Sequence, residues 1–199
     1  MEKDLLNEFV KKNPVNNLSP AFINYLVLES PMMTDLIKDA LSRWEESEDE
    51  IREVEIIENL DSADEFFRWM RKPIQGNNKF LLRKMLVKKE ALVTEMIQKR
   101  ILTNMVDEFI ENATEFFVRC SVNHTDWILE HYREVRNPYA RSMLCLVLGF
   151  RGDESCEAFL LREVLAFRKN YPEDVLDQGP VVAVYMLNGL KDKLESGES

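Results

Sequence analysis

The chain has 199 residues, 45% of them hydrophobic, with a formal net charge of -10; these values fit one large or two small globular domains and speak against a disordered chain. Six glycines and seven prolines are too few for the many tight turns of sandwiches and barrels, and the acidic total has the wrong sign for a surface that grips phosphate backbones. Three widely spaced cysteines, Cys120, Cys145 and Cys156, make no disulfide framework, and the charged start Met1-Glu2-Lys3-Asp4 leads into no apolar run long enough to span a bilayer. A cytoplasmic, acidic protein is the expectation.

Apolar residues recur at three- to four-residue steps nearly throughout, the period of a helix with one buried face. Leu5, Leu6, Phe9 and Val10 predict a short first helix that Asn13-Pro14 ends. Ser19-Pro20 and Ser30-Pro31 each read as an N-cap followed by proline at the first helical position. The second of these starts leads into Met33, Leu36, Ile37, Ala40, Leu41 and Trp44. Over 45–65, Ile51, Val54, Ile57 and Leu60 keep helical spacing behind a strongly acidic outer face. Phe66, Phe67 and Met70 predict another short helix, stopped near Lys72-Pro73. Residues 73–78, with Gly76-Asn77-Asn78, read as the clearest loop and the boundary between an N-terminal helical region, 1–78, and a second region, 79–199, unless the two form one continuous domain. Between 79 and 117 the spacing predicts two helices divided near Thr103-Asn104, where Asn104 can cap and Asp107 follows three residues on. No stretch alternates long enough to predict a strand. The fold class read from this pattern is all-α.

The stretch 140–160 contains Leu148-Gly149, Gly152-Asp153 and Ala158, and it resembles a HEAT repeat: an apolar helix ending in Leu-Gly, a Gly-Asp turn, and a further helix. A shift of about forty residues, a HEAT-like period, sets Leu144 on Val184, Val147 on Leu187 and Gly149 on Gly189. The shift fails further back, where Phe109 falls in place of a glycine, so two repeats are visible over 125–190. The resemblance implies an α-solenoid-like stack of antiparallel helix pairs. Gly149 and Gly152 are placed to take φ > 0 at the turn, and Asp153 to cap the next helix.

Nucleotide-binding glycine loops and the Gly-x-Ser-x-Gly elbow are absent. His124 and His131, with Asp126 and Glu130 nearby, suggest a metal site, but familiar signatures place two histidines four apart and add a third ligand, and ordinary surface histidines explain the pair better. Cys145 reads as a small core hydrophobe. Cys156 lies in a first helical turn, where a thiol pKa can fall, yet no base accompanies it. No catalytic, cofactor or metal residue is assigned. Charge is segregated: 45–65 is acidic, and 68–100 carries ten Lys and Arg against Glu90 and Glu95. Either the two are separate binding faces, or they neutralise each other across neighbouring helices.

The function expected is a non-catalytic protein-protein interaction module, which leaves an enzymatic role open. The alternatives are a HEAT-like DNA-repair glycosylase, against which the acidic total speaks, and an acidic immunity or inhibitor protein. Val182, Tyr185 and Met186 are the candidate interface, because the helix around them is apolar on every side and needs a cover. That cover is an upstream helix, or a partner protein such as a second copy of the chain.

Overall fold

The computed structural model describes residues 8–9, 11–12, 48–74 and 76–189. The helix starts expected at Ser19-Pro20 and Ser30-Pro31, and Trp44, lie outside them. The described residues hold nine α-helices, two short 3-10 turns and no strand: α1 (Glu48–Glu58), α2 (Ala63–Met70), α3 (Gly76–Lys88), α4 (Glu90–Ile101), α5 (Asp107–Arg119), α6 (Thr125–His131), α7 (Pro138–Arg151), α8 (Glu157–Asn170) and α9 (Gln178–Leu187). Residues 8–9 and 11–12 are helical too. None of the described helices is long and apolar enough to cross a membrane.

Contacts divide the chain into two compact units, Leu36–Met143 and Met1–Asp35 with Leu144–Ser199. Gly76-Asn77-Asn78, expected as part of a loop, form the first turn of α3. Asn78 is buried and donates to Glu53 Oε2 at 3.1 Å, which ties this turn to α1.

In the first unit, α1 packs on α3, α3 on α5, and α2 against α4 and α5. The acidic helix ends at Glu58, earlier than periodicity suggests, because Ser62 starts a new one. Ser62 accepts from the Glu65 backbone N–H, and the Glu65 carboxylate accepts from the Ser62 N–H and hydroxyl, a reciprocal cap that Ser-x-x-Glu encodes. The long stretch from 79 breaks twice. One break, at Lys89, separates α3 from α4. The other follows Ile101, where Asn104 accepts from the Val106 N–H at 3.0 Å and Asp107 opens α5. Phe66, Met70, Leu82, Leu86, Val93, Ile97, Phe109 and Phe116 fill the core.

A polar seam joins α3 to α5. Arg83 donates to Asn112 Oδ1 at 3.1 Å and pairs with Glu115 at 3.6 Å. Glu115 also takes Arg119 at 2.8 Å, and Lys79 pairs with Glu111 at 3.0 Å. Asn112 in turn donates to the Met70 carbonyl, so α2 is held to the same seam.

In the second unit, Leu144, Val147, Leu148, Leu160 and Val164 are buried as the helical period predicts, whereas Phe159 is half-buried. The inward stripe of α8 runs through Leu160, Val164 and Phe167, and Phe159 borders it. Asp153 caps the turn into α8, accepting from the Ser155 N–H at 2.9 Å. The two glycines of this turn do not have the positive φ expected of them; among described residues only Gly189 does, at +64°. Gly149 is needed for space instead. A Cβ there would meet the Ala183 Cα at 2.5 Å, so α7 and α9 approach backbone to backbone. A Cβ on Gly152 would meet the Leu148 carbonyl oxygen at 2.4 Å and Cys156 Sγ at 2.8 Å.

Candidate interaction surface

The helix carrying Val182, Tyr185 and Met186 is largely covered within its own chain. Val182 and Tyr185 are 0% and 1% exposed, and Met186 is half-buried. Phe9 lies 6.0 Å from the Tyr185 ring, so the N-terminal helical segment supplies part of the cover.

The exposed chemistry gathers instead where α2 and α4 end side by side. Arg68, Arg71, Lys72, Lys99 and Arg100 are all exposed. The guanidinium of Arg71 stands 5.3 Å from the Phe67 ring centroid and that of Arg100 4.5 Å, two cations on one aromatic ring. Phe109 stands edge-on to the same ring at 5.5 Å. Lys72 covers the Trp69 ring at 3.4 Å. Cations at helix C-terminal turns complement the carbonyl ends there, which favours several of them together at this edge. Beside them is a shallow open cleft of about 350 Å³ lined by Ala63, Asp64, Leu92, Glu95, Met96, Lys99 and Arg100. Among the described residues, Lys79 and Arg83 of the basic segment pair with Glu111 and Glu115 of α5.

Cys145 is buried, as its reading as a core hydrophobe has it, but His124 occupies a different place from the one the sequence suggests. His124 is a buried residue, 7% exposed, at the N-cap of α6, and not a surface histidine. Its ring lies 5.4 Å from Phe117, and its Nδ1 is 3.4 Å from Gln98 Nε2. His131 stacks on Trp127 at 4.8 Å. All three cysteines are buried thiols. Glu90, at the start of α4, reaches the loop after α5: its carboxylate accepts from the Ser121 N–H and hydroxyl at 2.8 Å each and from the Val122 N–H at 3.0 Å. Partial burial opposes ionisation of Glu90, but these donors together with the positive potential of His124 outweigh it and hold the carboxyl below its usual range. The structure thus brings His124 to Glu90 and Cys120, a grouping that pairing it with His131 missed. The Cys120-x-x-x-His124 spacing was the available signal.

No family model, curated protein or solved structure matches the chain.

Proposed function

We propose that the chain is a non-catalytic protein-interaction module of HEAT-like helix pairs. Its partner presents an acidic segment carrying an apolar anchor to the α2–α4 edge. The observation that carries this reading is the exposed pair of Arg71 and Arg100 on the Phe67 ring beside the Leu92–Met96 cleft. Arg and aromatic residues are enriched at interfaces, and a guanidinium stacked on a ring is held ready for a carboxylate. Leu92, 39% exposed, offers the apolar contact. The HEAT-like part of the reading draws on the Asp153 cap and on the close approach at Gly149, which suit short turns between packed helices.

The test places a photo-crosslinker at Leu92 and, as a control, at Val175, in the cell the chain comes from. A partner joined at Leu92 through an acidic segment, and lost in R71E/R100E, is the expected result. Equal labelling at both positions overturns the reading. Duplex DNA shifted at low salt by the parent chain, and not by R71E/R100E, assigns the same edge to a nucleic acid instead.

A further inference from the structure

We propose that Glu90, Cys120 and His124 form a binding site for a single divalent cation of the zinc class. One ligating atom from each of the three residues lies within 4.8 Å of the others. The three come from three elements: the first residue of α4, the C-cap of α5 and the N-cap of α6. Cys120 is 1% exposed and His124 7%, so two of the donors sit away from bulk water.

The donor set decides the ion. Calcium and magnesium take oxygen ligands, whereas a thiolate, an imidazole nitrogen and one carboxylate oxygen suit zinc. Zinc binds such atoms at about 2.0–2.3 Å, which sets tetrahedral ligands about 3.3–3.8 Å apart. The trio closes onto an ion by moving inward by about 1 Å, a side-chain adjustment on this scale.

The arrangement is held in place before any ion arrives. Glu90 is fastened to Ser121 and Val122, the two residues that follow Cys120. An ionised carboxylate has about four acceptor positions, and these three bonds leave one for a metal. The Cys120 thiol donates to the Val122 carbonyl at 3.1 Å. Binding replaces that proton: the S–H bond breaks heterolytically, the sulfur electron pair forms the metal–sulfur bond, and one proton leaves to solvent. Phe117 and Gln98 fix the plane of the His124 ring, the kind of outer support that metal-ligating imidazoles use. Three protein ligands leave a fourth position for water.

The alternative is that the trio only fastens the loop between α5 and α6. The two readings part on metal uptake. The chelator-treated parent chain is titrated with Zn2+ against a chromophoric competitor at pH 7, and separately with Co2+. The expected results are one equivalent of zinc bound, release of the Cys120 proton together with any proton His124 carries, and a thiolate-to-cobalt charge-transfer band. C120S, shown by circular dichroism to be folded, is expected to lose the band and the zinc, and E90Q to bind zinc more weakly. A parent chain that takes up no stoichiometric zinc overturns the proposal. So does a cobalt complex without the thiolate band, which needs no variant to fold, or a folded C120S that binds zinc like the parent.

Discussion

Where α3 meets α5, Lys79 and Arg83 reach across to Glu111, Asn112 and Glu115. Where α7 meets α9, a glycine lies against an alanine. The first contact depends on every charge keeping its partner, because a buried ion that loses its mate keeps the cost of desolvation. The second depends on the absence of atoms. The polar seam therefore tolerates changes of shape better than changes of charge, and the glycine contact the reverse.

The largest effect is expected at the polar seam. The Glu115 side chain is 5% exposed and that of its partner Arg83 12%, so Glu115→Ala should cost about 3–5 kcal/mol, read as a lower urea midpoint. Replacing both Glu115 and Arg83 with apolar residues of similar volume should recover most of that loss, since Arg119, the other cation on Glu115, is exposed. A single variant that melts like the parent would show the seam to be ornamental.

Gly149→Ala comes next. Its new methyl group must push on the Ala183 backbone, and overpacking of this kind costs about 1–3 kcal/mol. For a chain of this size, each kcal/mol lowers the melting temperature by about 2–4 °C. Gly189→Ala is the matched control. Nothing lies within 4 Å of a Cβ there, and only the φ of +64° resists it, at about 1 kcal/mol. Equal losses at the two positions would break the distinction between a glycine kept for space and one kept for its dihedral.

The smallest effect depends on pH. The folded-state pKa of Glu90 lies below its ordinary value of 4.5, so its contribution is present above that value and is lost as pH falls through the folded one. Metal-free parent and Glu90→Gln chains should therefore differ in denaturation midpoint near pH 7 and converge in strong acid. A gap that stays constant with pH would mean that the charge of Glu90 does not hold the 121–122 loop.

The sequence showed most of the helices, because burial imprints a period of about 3.6 on apolar positions: the stripes of α2, α5 and α7 could be read directly. It misled where one residue type serves two purposes. Gly149 and Gly189 fall forty residues apart and align, yet one is a helical residue under a neighbouring backbone and the other a left-handed cap after Asn188. The last helix was legible as apolar on every side, but its cover comes partly from Phe9, near the opposite end of the chain. The Glu90, Cys120 and His124 cluster was not legible either, since only folding joins the start of α4 to the loop after α5. The α2–α4 edge was half visible: the basic run announced the charge, and the stacking on Phe67 needed the two helices side by side.

The burial of tyrosine sets a limit at the other end of the pH scale. Burial raises the Tyr185 phenol above its ordinary value of 10.0. At Tyr139, burial acts first, and the nearby carboxylates of Glu111 and Asp107 add to it. A neutral phenol preferred by the fold contributes stability below the ordinary value and loses it as pH rises through the raised one. In an alkaline titration followed by phenolate absorbance, these two rings should stay silent while the chain is folded. They should then ionise together with its unfolding, so that strong base denatures the protein through its tyrosines.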